Sequence, residues 1–370
     1  MGKKTEELLK EAISAYPFIK EIKEIERNET GHINDTFVVK AGDGRSYIMQ
    51  RINDFVFKNP REVMENIIGV TQFLREVIVA SGGDPERETL NVMLTETGDP
   101  LFTDSEGGAW RCFKLIEDIV CLEHASSTKQ FRSCARSFGG FLRRLESYPA
   151  ETLHETIPDF HNTPARLAAL KRAVEADVMG RRSEAAAEID FILSREDECG
   201  YFTTRLASGE IPLRVTHNDT KFNNILIDKA SGEGVCIIDL DTIMPGSALY
   251  DFGDAIRSGA NRAEEDEREL SKVALNLELF EAYTRGYLEA AGEALTEAEI
   301  DALPWGAKII TLECGARFLT DHLEGDHYFK TSREGHNLDR ARTQLALVAD
   351  MEKNWDKMLA IVEKHGPGRL

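Results

Sequence analysis

Apolar positions along the first third of the chain alternate between two periods. Residues 4–15 place Leu8, Leu9 and Ile13 among charges, the spacing of a short amphipathic helix. Residues 22–29, 35–40 and 46–51 read as strands, the last two separated by the turn Gly42-Asp43-Gly44, a hairpin signal. Residues 59–80 change period: Pro60 stands near the start, and Val63, Ile67, Val70, Leu74 and Val77 recur at helical spacing. Residues 89–96 and 109–116 return to strand text, so residues 1–116 read β-β-β-α-β-β. Beyond 117 the helical period dominates, at about 128–147, 163–180 and 184–208. A strand-rich insert occupies 213–242, and helices resume from about 263, where 263–269 read as an acidic solvated helix. No internal repeat or low-complexity linker interrupts the chain. The pattern divides it into a β-rich lobe, 1–116, and a mainly helical lobe, 117–370, with a hinge near 117.

A length of 370 residues suits two such lobes. No apolar run reaches the roughly 18 residues a membrane helix needs, and Met1 to Lys10 lack a signal-peptide core, so neither a membrane nor a secretory route is expected. The net charge of −20 argues against a nucleic-acid partner and requires any phosphate site to gather cations locally. The six cysteines, Cys112, Cys121, Cys134, Cys199, Cys236 and Cys314, form no C-x-x-C pair and suit a reducing cytoplasm. The sequons at Asn28, Asn34 and Asn218 are read as chance matches.

The informative segment is Val215-Thr216-His217-Asn218-Asp219-Thr220-Lys221-Phe222-Asn223-Asn224-Ile225-Leu226-Ile227, followed by Val235-Cys236-Ile237-Ile238-Asp239-Leu240-Asp241. It reads H-x-D-x-K-x-x-N and then hydrophobic-D-x-D. Phosphoryl transfer explains these residue types. A carboxylate, Asp219, aligns the acceptor hydroxyl and takes its proton late. Asn224 and Asp239 offer the oxygen ligands that magnesium prefers. Lys221, two residues past the base, can face the charge on the transferring phosphoryl group.

This pattern resembles the catalytic loop and metal-binding Asp of protein kinases, and more closely the aminoglycoside phosphotransferase superfamily. Within it, Gly31-His32-Ile33-Asn34-Asp35-Thr36-Phe37, Gln50-Arg51-Ile52-Asn53 and Leu312-Glu313-Cys314-Gly315-Ala316-Arg317-Phe318 resemble the N-acetylhexosamine 1-kinase group. The resemblance implies an α+β, bilobal protein-kinase-like fold with ATP between the lobes, its adenine on the backbone around Phe113 and Ile116. It implies Mg2+ held by Asn224 and Asp239, with Asp241 a further ligand or a group behind them. Arg51, on one strand face with Tyr47 and Met49, matches the position that grips the α- and β-phosphates, with Glu62 or Glu65 as its helix partner. The segment Gly31 to Thr36 stands where the phosphate-covering loop would be, though it has a single glycine. Asn34, Asp35, Arg317 and Tyr328 would meet a sugar. The implied reaction is ATP-dependent phosphorylation of the anomeric hydroxyl of N-acetylglucosamine or N-acetylgalactosamine by a monomer. The alternative is a kinase of another small alcohol: an aminoglycoside, homoserine or a different sugar. A pseudokinase would lack one of Asp219, Asn224 and Asp239, and all three are present.

Several residues carry plainer readings. His217 is expected to bond loop backbone, and Asp251, in an apparent D-F-G, to cap the following helix. Arg317 could equally pair with Glu313 or Asp321 along a helix. The acidic and histidine-rich run 321–328 fits no metal spacing.

Overall fold

The structure, a computed structural model, describes residues 3–28 and 33–366. Gly31 and His32 of the expected phosphate-covering segment lie outside the described residues, as do Glu29 and Thr30. In chain order, α1 (Lys3–Ser14) precedes β1 (Ile22–Asn28), β2 (Asp35–Ala41) and β3 (Ser46–Arg51). Then come α2 (Pro60–Ala80), α3 (Pro85–Glu88), β4 (Val92–Met93), β5 (Phe102–Thr103), β6 (Ala109–Lys114) and β7 (Ile119–Val120). The helices α4 (Thr128–Arg144), α5 (Thr163–Ala176), α6 (Ala186–Leu193), α7 (Glu196–Cys199) and α8 (Tyr201–Ser208) lead to β8 (Arg214–Thr216), β9 (Ile225–Asp228), β10 (Gly234–Ile237) and β11 (Met244–Gly246). The chain closes with α9 (Ala248–Gly259), α10 (Leu277–Ala291), α11 (Glu297–Asp301), α12 (Leu303–Glu324), α13 (His336–Lys353) and α14 (Trp355–His365). Among the described residues no helix is long and apolar enough to cross a membrane.

Two compact units result. The first comprises 1–120, 152–157 and 226–244, the second 121–151, 158–225 and 245–370. Asp239 and Asp241 therefore fold with the β-rich unit, and Asp219, Lys221 and Asn224 with the helical one.

The first unit is built on an antiparallel sheet ordered β1-β2-β3-β6-β4, with β5 also on β6. Alternation along its strands sends Phe37, Val39, Tyr47, Met49, Trp110 and Cys112 to one face, where Leu9, Ala12, Ile13 and Tyr16 of α1 cover them. Gln50 stands opposite Arg111 in the register, on the other face. Helix α2 begins at a proline, which needs no N–H partner there, and buries Val63, Met64, Ile67, Val70, Leu74 and Ile78.

In the second unit, Leu312, Ala316, Leu319 and Leu323 of α12 form a core with apolar residues of α5, α6 and α13. Helix α9 is buried over nearly its whole length, and a Cβ on its Gly253 would collide with the backbone oxygen of Gly306 on α12.

The fold departs from the sequence pattern in three places. Residues 184–208 form three short helices, because Arg195 folds back at the first break. Its guanidinium lies 3.5 Å from the Phe191 ring centroid and pairs with Glu352 at 2.7 Å. Residues 263–269 are not helical. Adjacent carboxylates would repel along a helix, whereas in a loop Glu265 meets Arg257 at 2.9 Å and Asp266 meets Arg333 at 2.9 Å and His336 at 3.0 Å. Of 89–96 only β4 is strand; 89–91 are loop following α3, and the turn at Thr95 to Asp99 takes the end.

Candidate active site

The H-x-D-x-K-x-x-N loop leaves β8 inside the helical unit, and its shape comes from α9. The Asp251 carboxylate accepts the backbone N–H groups of His217 (2.9 Å) and Asn218 (2.7 Å). The Asp254 carboxylate accepts the N–H of Thr220 at 3.0 Å, and the Thr220 hydroxyl donates to the Asp251 carbonyl at 2.6 Å. Arg257 donates to Asp254 at 2.8 Å and pins it. Asn218 takes a left-handed backbone, φ 64°, a conformation that costs energy in a residue with a side chain and that these bonds hold in place. Asp251 was expected to cap the helix; Ser247 does that instead, accepting from Leu249 N–H at 3.3 Å, while Asp251 clamps the loop. Asp251 and Asp254 carry a signal in the sequence: two carboxylates three residues apart on one helix that is otherwise apolar over its first two turns. Burial raises the Asp251 carboxyl above its ordinary range against the lowering pull of His217 and its two backbone donors.

Within that loop Asp219, Lys221 and Asn224 come together. Lys221 Nζ lies 2.8 Å from Asp219 Oδ1. Asn224 Nδ2 donates to Asp219 Oδ2 at 3.0 Å and to its carbonyl at 2.8 Å. The Asp219 N–H donates to Nδ1 of His217, whose ring is fully buried and meets Phe138 and Phe141 edge-on. Burial opposes ionisation of Asp219, but Lys221, His217 and Asn224 outweigh it and hold its carboxyl below the usual range. Asp219 in turn raises the Lys221 ammonium well above an ordinary lysine.

In the first unit, Asp239 follows β10 with an exposed carboxylate and a left-handed backbone, φ 59°. Asp241, two residues on, is buried and faces protein donors: Arg111 Nη1 stands 2.5 Å from Oδ1, and Asn34 Nδ2 donates to Oδ2 at 2.6 Å. Asn34 Oδ1 also accepts the Asn53 N–H at 2.9 Å, so Asn34 ties the start of β2 to this segment. Asp35 pairs with Arg27 at 2.6 Å. Phe113 is buried with the Arg111 guanidinium 5.1 Å from its ring centroid. Ile116 packs with Leu226 and Cys236.

Arg51 is corrected. It does share a face with Tyr47 and Met49, but that face is the one α1 covers. Its guanidinium bonds the buried Asp104 at 3.0 Å, and a Cβ on Gly108 would collide with it. Neither Glu62 nor Glu65 is its partner; Glu65 meets His154 at 2.7 Å. One register position away, on the opposite face, Arg111 is the cation joined to the Asp239–Asp241 segment.

Arg317 and Tyr328 are brought together in the second unit. The Arg317 guanidinium lies 5.1, 5.9 and 5.6 Å from the ring centroids of Phe160, Tyr328 and Phe329. It forms no ion pair among the described residues, and Glu313, the expected helix partner, instead accepts from His161 (2.8 Å) and Thr163 (2.6 Å). Asp321, the other expected partner, accepts the successive N–H groups of His327 (2.9 Å), Tyr328 (2.8 Å) and Phe329 (3.0 Å) and so sets the loop that carries Tyr328.

A profile of the phosphotransferase enzyme family, APH, matches residues 24–297, most of the chain. The chain belongs to the phosphotransferase enzyme family. Solved structures with the same fold include a microcompartment-associated aminopropanol kinase at 16% identity, TM-score 0.59, covering 95% of this chain and 98% of that one. An aminoglycoside phosphotransferase from Alicyclobacillus acidocaldarius is 12% identical, TM-score 0.58, with 96% of each chain covered. A choline kinase from Cryptosporidium parvum is 15% identical, TM-score 0.58, covering 97% and 99%.

Asn224 and Asp239 each carry an oxygen of the kind a hard divalent cation takes. The Asn224 amide nitrogen donates twice to Asp219, which leaves the side-chain oxygen as the atom Asn224 could offer a cation. Asp239 is an exposed residue. No cluster of three or more His, Cys, Asp or Glu suited to a metal occurs among the described residues. Magnesium sites completed by substrate phosphates use only one or two carboxylates.

Proposed function

We propose that this phosphotransferase is an ATP-dependent kinase of a small hydroxylated acceptor, and that the acceptor is an N-acetylhexosamine phosphorylated at its anomeric hydroxyl. The observation that carries the kinase reading is the Asp219 carboxylate, kept ionised by Lys221 at 2.8 Å and oriented by Asn224 at 3.0 Å. An ionised carboxylate held in this way accepts the hydroxyl proton as the acceptor oxygen attacks the γ-phosphorus. Lys221 balances negative charge on the transferring group. Asn224 and Asp239 are the proposed ligands of magnesium, which when bound neutralises phosphate charge. Asp241, held by Arg111 and Asn34, positions the segment that presents Asp239. The backbone around Phe113 and Ile116 is the proposed partner of adenine.

The acceptor reading rests on the resemblance of the 312–318 word and on the character of Arg317. An unpaired guanidinium ringed by aromatic side chains repels a polycationic antibiotic or a quaternary amine. It suits hydroxyl and amide oxygens, with Tyr328 offering a ring face and a hydroxyl. The test is ADP release with ATP and magnesium over N-acetylglucosamine, N-acetylgalactosamine, glucose, kanamycin, choline and homoserine. Turnover confined to the N-acetylhexosamines, with phosphate on carbon one, is expected. Turnover only with another acceptor overturns the sugar assignment and leaves the kinase.

A further inference from the structure

The first unit contains a cavity of about 540 Å³ that the phosphotransfer reading does not use. It opens beside α2, α3, β4 and β6, and its volume lies in the range of small-ligand sites. Its apolar wall includes Ile68, Leu90 and the exposed Leu94. Its polar wall carries three cations, Arg45, Arg75 and Lys114, against one carboxylate, Glu86. Glu86 is shared, 2.6 Å from Arg75 and 2.8 Å from Lys114, while the nearest carboxylate to Arg45 is Asp43 at 3.8 Å. The wall thus holds an excess of two positive charges in a protein of net charge −20. We infer that this cavity is a second ligand site, for a small organic oxyanion that sets its phosphate or carboxylate against Arg45 and Lys114 and its apolar body against Ile68 and Leu90.

The same helix that lines the cavity reaches the segment bearing Asp239. Ile68, Thr71, Gln72 and Arg75 of α2 face the cavity. Nearby on that helix, Asn66 Nδ2 donates to the Ile243 carbonyl at 2.9 Å and to the His154 carbonyl at 2.8 Å. Met64 sulfur lies 3.9 Å from the Arg111 nitrogen whose guanidinium holds Asp241. A ligand that favours one position of α2 changes how the 239–243 segment is presented, and its kinetic signature is a changed KM for nucleotide. That signature rests on the kinase reading; binding to the cavity does not.

The test is calorimetric titration of the full chain, without acceptor, using 4-nitrophenyl phosphate, 4-nitrobenzoate and the neutral 4-nitrobenzyl alcohol. Saturable binding of either anion but not of the alcohol is expected, and the pair identifies which oxyanion the site prefers. Arg45→Ala and Lys114→Met should each weaken it about tenfold, the size of one lost charge-assisted contact. Glu86→Gln should tighten it, because it frees two cations, and this gain of affinity cannot come from misfolding. Absence of saturable binding, binding that ATP displaces competitively, or affinity unmoved by all three substitutions would overturn the inference. Each of these outcomes is read without turnover, so a failed acceptor assignment leaves the result intact.

Discussion

Lys221 Nζ sits 2.8 Å from Asp219 Oδ1, and this ion pair favours the charged carboxylate of the proposed base. Partial burial raises the Asp219 carboxyl, and Lys221 is the foremost of the groups that offset it. With Lys221 present its carboxyl titrates below the ordinary value of about 3.9, so the base is ionised throughout the neutral range. Lys221→Met should therefore lower kcat and also move the acid limb of the kcat/KM profile to higher pH. A fall in kcat with an unmoved acid limb would remove Lys221 from this role.

Asp219→Asn keeps the shape of the base and removes its proton affinity. Turnover should fall by about 10²–10⁴-fold, the range of general-base contributions, with nucleotide affinity nearly unchanged. Single-turnover kinetics and calorimetry separate the two. Near-full turnover in this variant sinks the base assignment.

Asp251 acts through the loop rather than on the substrate. Asp251→Ala orphans the His217 and Asn218 N–H donors, each costing about 1–3 kcal/mol when buried. Asp251→Asn keeps the volume and one acceptor. The expected outcome for Asp251→Asn is a lower melting temperature and a lower kcat with retained nucleotide affinity, since Asp239 lies in the other unit.

Arg51 and Arg111 should behave differently. Arg51→Ala removes one of four donors to Asp104, the others being Trp110 Nε1 (2.8 Å) and the N–H groups of Gly108 (2.7 Å) and Glu106 (2.9 Å). It should cost stability of about 1–3 kcal/mol in urea unfolding and leave nucleotide KM nearly unchanged. Arg111→Met exposes the buried Asp241 charge, should cost roughly 3–5 kcal/mol, and should raise nucleotide KM. Burial raises the Asp104 carboxyl, but its donors outweigh that and hold it below the ordinary range. A carboxyl lowered by folding stabilises the fold above the unfolded value, about 3.9, and loses that contribution as pH falls through the lower folded value. Asp104→Asn should accordingly flatten the acid side of the stability profile.

Asp239→Ala should weaken magnesium-nucleotide binding itself, read by calorimetry with and without the metal. Asp321→Asn should loosen the three N–H bonds that set residues 327–329, raising acceptor KM while nucleotide KM stays constant. Unchanged acceptor KM would detach Tyr328 from the acceptor.

Local features were legible in the sequence and long-range ones were not. Pro60 and the 3.6-residue spacing through Val77 marked α2 almost to its ends, because its start signal and its buried stripe are written in adjacent residues. Asp219, Lys221 and Asn224 lie within six positions of one another, so their meeting needs only a loop. Period two correctly placed Arg51 with Tyr47 and Met49, but alternation says which residues share a face and not which element covers it. That depended on α1, some 40 residues earlier, docking on the Tyr47 side. Asp251 and Asp254 were obscured for the same reason: their partners lie more than 30 residues upstream. The run 263–269 misled because the cations that meet Asp266, Arg333 and His336, arrive from about 70 residues away.

The bare crossing of α9 and α12 at Gly253 and Gly306 has a consequence for how this enzyme can diversify. Helix α9 grips the loop of the base, and α12 carries Arg317. At that point the two backbones meet directly, with the Ile310 side chain beside Gly253. Under the proposed function, changes at the outward tip of α12 and the loop after it would alter acceptor preference while the bonds from α9 to the 217–220 loop stay in place. The crossing itself tolerates almost no change. On that proposal, the fixed chemistry and the variable choice of substrate fall toward opposite ends of a single helix.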